Sequence, residues 1–241
     1  MNSTNTNTNV DPFEKDAAAH GGYVYTLTER LSCRLATGRS LDAIIETGQL
    51  TGRTILDMGC GDGYYTIGYW DRCQPRALTG VDGAASAVRV AREKSQERPI
   101  RFEVADVHKL PFPDNSFDLA LIQSILHHDD DPESIIREAF RVAPMILIHE
   151  PNGNNLGLKV IEKMSRYHRE HGEKSYTSRQ LVRWVEGAGG VVQSRRFAGF
   201  VAMFSPDWLA RAMKTVEPLL EGLPGLRALG CAVFILVAKR R

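Results

Sequence analysis

The sequence lacks most of the features that would place it outside the ordinary globular proteins. It has four cysteines, Cys33, Cys60, Cys73 and Cys231, scattered with no CxxC pair and no zinc-finger spacing. That excludes a disulfide scaffold and a structural zinc site and suits a reducing cytoplasm. No apolar run reaches transmembrane length, so no integral membrane segment is expected. The first ten residues, MNSTNTNTNV, contain no apolar stretch of signal-peptide type. Their Asn/Thr alternation cannot build a core, and residues 1–12 are expected to be a disordered tail. Charge of one sign is missing too. The formal net charge is +1, which argues against nucleic acid as a partner held by a broad basic field. No internal repeat and no Pro/Gly-rich linker divides the chain.

What is present is a chain of 241 residues, 43% hydrophobic and 24% charged, suited to one domain with one sizeable core. A short helix is expected around 11–19, and a stretch turning helical near residue 28. Another helix is expected over 40–47. Strands and helices then alternate. RTILDMG reads as a buried strand, followed by a glycine turn and a helix over 64–73. ALTGVDG and IRFEVADV read as the second and third strands, with a helix over 84–96 between them. FDLALIQS is nearly all apolar, as a central parallel strand should be. Asp131 is a helix cap with Pro132 at the first position, and PMILIHEP is the fifth strand. The spacing predicts a helix over 178–187, a strand VVQSRRFAG, a helix near 206–220 that looks longer than a minimal fold requires, and a last strand AVFILVAKR. This alternation gives an α/β fold, a parallel sheet with helices on both faces. Ligands in such sheets bind beyond the carboxyl ends of the strands.

Asp57-Met58-Gly59-Cys60-Gly61-Asp62-Gly63 closes the first strand. The three glycines give backbone freedom and let a ligand lie against the main chain. A GxGxG alone is weak, because dinucleotide enzymes use similar loops. The carboxylates narrow the choice. Asp57 lies just before the glycines, where it can answer an ammonium. Asp82 ends the second strand, placed for ribose hydroxyls. Asp106 ends the third, placed for an adenine amino group. A pyrophosphate would be repelled by Asp57 and Asp62, so the set fits a cationic amino-acid nucleoside. A nicotinamide-dependent dehydrogenase would place its third glycine one residue later, as GxGxxG.

These motifs resemble the class I methyltransferases that use S-adenosyl-L-methionine. The stretch 55–63 looks like their first motif, and those at 80–82, 105–112 and 117–128 resemble the following ones in order. The subgroup often called methyltransferase type 11, which includes quinone-biosynthesis enzymes, is the most similar. The resemblance is strong over 50–150 and holds in outline elsewhere. It implies a Rossmann-like seven-stranded sheet, mostly parallel with the last strand antiparallel. It further implies that Gly59 and Gly61 contact the cofactor and that Asp82, followed by Gly83, holds the ribose. By the same resemblance Asp106 and Val107 lie by the adenine, and Gln123 approaches the methionine part.

Gly22-Tyr23-Val24-Tyr25-Thr26 resembles an N-terminal element of some methyltransferases of glycan and lipid biosynthesis. A ring such as Tyr25 beside a sulfonium would be attracted through its π face. His127 and His128 follow the fourth strand and His149 ends the fifth, at the ligand rim. A neutral imidazole there can take a proton from a hydroxyl. No metal is expected, because adjacent side chains such as His127-His128-Asp129 rarely converge on one ion. The layout expected over 13–241 is a helical cap at 13–49, a cofactor-binding core at 50–150 and a cover for the acceptor site at 151–177. The expected activity is methyl transfer to a small or medium-sized metabolite, with oxygen favoured over carbon or nitrogen. A lipid- or glycan-linked acceptor and a non-catalytic cofactor-binding scaffold are the alternatives. The sequence leaves open the acceptor and whether the chain forms a homodimer.

Overall fold

The computed structural model describes residues 14–15, 17–18, 21–23, 26, 29–159 and 174–241. The expected tail, Tyr25 and residues 160–173 of the expected cover lie outside the described residues. The strands are β1 (Thr54–Met58), β2 (Ala77–Asp82), β3 (Ile100–Val104), β4 (Leu119–Gln123), β5 (Met145–Pro151), β6 (Gly190–Ala198) and β7 (Val233–Arg240). They form one sheet in the order β3-β2-β1-β4-β5-β7-β6. Strands β1 to β5 pair in parallel, and β7 runs antiparallel to both β5 and β6. This is the expected Rossmann-like topology. The winding reverses between β1 and β4, so the crevice beyond their carboxyl ends is where a ligand belongs.

The helices are α1 (Leu31–Gly48), α2 (Tyr64–Cys73), α3 (Ala85–Ser95), α4 (Pro132–Val142), α5 (Ser178–Gly187), α6 (Asp207–Gly222) and α7 (Pro224–Gly230). The two-residue period of the central strands sends alternate side chains to opposite layers. Ile55, Leu119, Leu121 and Leu147 meet Leu41, Ile44 and Tyr69 of α1 and α2. Leu56, Met58, Ile122, Ile146 and Ile148 meet Ile136, Phe140, Leu181 and Val185 of α4 and α5. Every residue of β4 is buried, its four apolar residues and the terminal Gln123 alike.

Three expectations are corrected. Helix α1 spans Leu31–Gly48 rather than 40–47. Its inner face at the start is Ser32, Cys33, Thr37 and Ser40, small polar residues that apolar periodicity does not register. Thr37 satisfies its own hydroxyl by donating to the Cys33 carbonyl at 2.8 Å. Strand β3 stops at Val104, and Asp106 lies in the following turn, accepting from the His108 N–H at 2.9 Å. A short acidic side chain competes for backbone donors in this way and ends a ladder. The helix near 206–220 extends to Gly222 and is followed by α7, which starts afresh at Pro224, a residue suited to a first helical turn.

Helix α5 begins with a reciprocal cap. Thr177 accepts from the Gln180 N–H, and the Gln180 side chain accepts from the Thr177 N–H at 3.0 Å. Thr177→Ala is therefore expected to cost about 1 kcal/mol. Thermal unfolding should show the midpoint lowered by roughly 2–4 °C.

Candidate active site

The β1–α2 turn is shaped by its glycines. Gly59 and Gly61 have φ of +75° and +54°. The Gly59 and Cys60 N–H groups donate to the Val81 carbonyl at 2.8 and 2.9 Å, which ties the turn to β2. A side chain on Gly59 would strike Ile125, and one on Gly61 would meet the Tyr23 ring at 2.5 Å. Tyr23 is thus brought to the turn, while Tyr25 lies outside the described residues. Asp82 holds the turn from the side, with one carboxylate oxygen accepting from the Gly61 N–H at 2.8 Å and the other from the Ala84 N–H at 2.9 Å. Each oxygen keeps a second lone pair for a ligand hydroxyl. Gly83 beside it is exposed. Burial and the nearby Glu14 and Asp62 raise the Asp82 carboxyl above its usual range, against the two backbone bonds that lower it.

The alternation of the sheet brings Asp57, Gln123 and His149 to the α1/α2 side. Gln123 and His149 are directly paired neighbours. Asp57 is 1% exposed. One of its oxygens accepts from the Thr66 hydroxyl at 2.6 Å, and the other, Oδ1, has no partner among the described residues. Desolvation by burial is the main reason its carboxyl is pushed up to about 7; the Thr66 bond opposes this and the Asp82 charge adds to it. Gln123 accepts from the Tyr69 hydroxyl. His149 shares a 3.3 Å contact from Nδ1 to the Ser124 hydroxyl, and its Nε2 is buried with no partner among the described residues. Burial lowers its imidazole to about 4, so it is neutral at pH 7.

His127 and His128 fall in a different setting. Glu150, the neighbour of His149, points to the other layer and is fully buried. Its Oε1 accepts from the N–H groups of Ile125 and Leu126 at 3.0 and 2.9 Å, and its Oε2 pairs with His127 Nδ1 at 2.6 Å. Glu150 therefore fixes the turn after β4 that sets Ile125 against Gly59. The His128 ring lies on that of His127, with centroids 3.8 Å apart. Asp106 is exposed and Val107 half-buried, both in the turn beyond β3. Asp62 spends its charge locally, accepting from Lys94 and from the Thr26 hydroxyl, both at 2.6 Å.

Sequence reasoning missed Thr66, Tyr69 and the clamping role of Glu150. Thr66 and Tyr69 are one turn apart on α2 and so share a face, a pattern that matters only once α2 is packed over β1 and β4. A concavity lined by Arg53, Asp118, Pro144, Met145 and Lys239 lies at the amino ends of the central strands, opposite this site.

A seven-stranded sheet with β7 reversed, a glycine turn after β1 and acids at the ends of β1 and β2 match the Rossmann-like fold of S-adenosylmethionine-dependent methyltransferases. Residues 56–144 match the family described as a methyltransferase domain. The uncharacterized methyltransferase YcgJ of Bacillus subtilis is 31% identical over 139 residues, covering 56% of this chain and 51% of that protein. The 27-O-demethylrifamycin SV methyltransferase of Amycolatopsis mediterranei is 34% identical over 119 residues, 48% of this chain and 40% of its own length. The match spans about half or less of these relatives. The fold is shared with magnesium protoporphyrin IX methyltransferase of Synechocystis PCC 6803, solved with bound SAH (TM-score 0.59, 16% identity, 88% of this chain and 84% of that one).

The residues present suit this cofactor. The positive-φ glycines let other groups lie against the backbone of the turn, Asp82 has acceptor capacity to spare, and the unpartnered Asp57 Oδ1 is a buried acceptor beside them. An isolated buried carboxylate oxygen is costly unless something answers it.

Proposed function

We propose that this chain transfers a methyl group from S-adenosylmethionine to a hydroxyl of a small or medium-sized organic acceptor. The observation that carries the reading is the buried, unpartnered Asp57 oxygen next to the glycine turn. It offers an ammonium a buried acceptor beside the turn. When bound, S-adenosylmethionine supplies a methyl group on a sulfonium, which is its own leaving group. The chain's task is then alignment and exclusion of water, worth on the order of 7–11 kcal/mol in favourable cases.

The residues divide that task. Gly59 and Gly61 present backbone, Asp82 orients the ribose, and Asp106 with Val107 borders the adenine. Asp57 takes the ammonium, and Gln123, held by Tyr69, fixes the methionine portion. His149 stands one strand over from Gln123. Its burial keeps the ring neutral, so Nε2 accepts a hydrogen bond from the acceptor hydroxyl. The same burial makes it a weak base, and its part is to hold that hydroxyl in line and to receive its proton, which turns strongly acidic as the oxygen is alkylated. His127 supports the neighbouring wall through Glu150, and the His128 ring lies on that of His127.

Calorimetry with S-adenosylhomocysteine tests the cofactor half: folded protein that binds none refutes it. For the transfer half, label is followed from S-adenosylmethionine into a panel of hydroxyl-bearing metabolites. His149→Ala is expected to lower turnover about 100-fold with little change in the Kd for S-adenosylhomocysteine. Equal losses in both would move His149 to the cofactor side.

A further inference from the structure

The insertion between β6 and β7 is patterned inside out. Helix α6 turns Ala210 and Glu217 inward. Outward it presents Trp208 at 72% exposure and Leu219 at 64%, with Val216 between them. On α6 these residues fall on one stripe by helical spacing. Leu223, Leu226 and Leu229 continue the exposed apolar surface through α7, the last two just over half exposed. An exposed apolar surface of this kind marks a face that meets something apolar.

The charges of the insertion are sorted as well. Two of its three acids are drawn inward: Glu217 is 2% exposed and accepts from the Phe200 N–H at 2.9 Å and from Lys214. Glu221 accepts from the Gly199 N–H at 2.9 Å and pairs with Arg39. Outside stand Arg211 and Arg227, opposed by Asp207 alone at the helix start. The insertion is anchored at the active-site rim. Asn152, just past β5, donates to the carbonyls of Ala228 and Cys231, both at 2.9 Å, and Asn155 donates to Gly230 at 3.0 Å.

From this sorting we infer that α6 and α7 form a docking face for an anionic lipid surface, which holds the rim of the active site against the bilayer. Apolar side chains led by a tryptophan and flanked by arginines, with two of the three acids withdrawn, are what an interfacial helix presents to acidic headgroups. A second copy of the chain would bring the same outward arginines together, which like charges disfavour.

The test uses the full chain in cosedimentation with vesicles of phosphatidylcholine alone or mixed with phosphatidylglycerol, beside analytical ultracentrifugation without lipid. Unaltered protein is expected to sediment with the mixed vesicles and to be monomeric without them. Trp208→Ser combined with Leu219→Ser should abolish the partitioning. Arg211→Gln combined with Arg227→Gln should weaken it about 25-fold, roughly fivefold for each charge. Unchanged thermal midpoints would show that both variants fold. The inference is overturned if mixed vesicles bind no protein, if both variants bind as the parent does, or if the Trp208 and Leu219 changes instead dissolve a dimer.

Discussion

Asp57→Asn is expected to weaken S-adenosylhomocysteine binding about 100-fold, the scale of removing one partner from a buried charge contact, without destabilising the protein. The two effects separate because the carboxylate is ill-placed for folding and well-placed for a cation. Its pKa in the folded chain is about 7, against about 3.9 when unfolded. Between those values the folded state keeps a proton that the unfolded state has released. This group's contribution to stability therefore falls as pH rises from about 4 to 7 and is constant above. An ammonium favours the ionised form, so the parent protein should bind S-adenosylhomocysteine about tenfold more weakly at pH 6 than at pH 8. Calorimetry at both pH values checks this, and the Asp57→Asn variant should show a flat profile. A parent affinity independent of pH would mean that Asp57 does not face the ligand's cation. A thermal midpoint at pH 8 that falls by several degrees in the variant would make Asp57 a structural residue.

Glu150→Ala should have the largest effect on folding, about 3–5 kcal/mol, as for a buried pair broken by removing one member. The substitution strips acceptors from the Ile125 and Leu126 N–H groups and from His127 at once. Chemical denaturation reads the loss. Because the same turn sets Ile125 against Gly59, binding of S-adenosylhomocysteine should also weaken in whatever fraction remains folded. Glu150→Gln is the informative partner: it keeps one acceptor oxygen, so it should recover part of the stability. A Glu150→Ala protein as stable as the parent would show that the post-β4 turn holds itself.

The parts of the site legible in the sequence were those encoded locally. Asp57, the three glycines and Asp82 each sit at a strand end within a short motif, and their neighbourhood follows from chain connectivity alone. Histidine roles were not legible to the same degree. His127, His128 and His149 all lie at the rim in sequence, yet His127 is committed to a buried carboxylate while His149 keeps a buried nitrogen without a partner among the described residues. That difference is one of strand phase: His149 and Glu150 are adjacent, so the pleat sends them to opposite layers.

Apolar alternation and glycine placement by themselves determined the five-strand parallel core and its turn, because both depend on periods of a few residues. The order of the strands, and therefore which acids, amides and imidazoles share one wall, was decided only by tertiary pairing across β1, β4 and β5. Tertiary packing also decided the inverted face of α6. Its glutamates turn inward because Arg39 and open backbone donors around residue 200 await them, and no helical period could announce partners that distant in the chain.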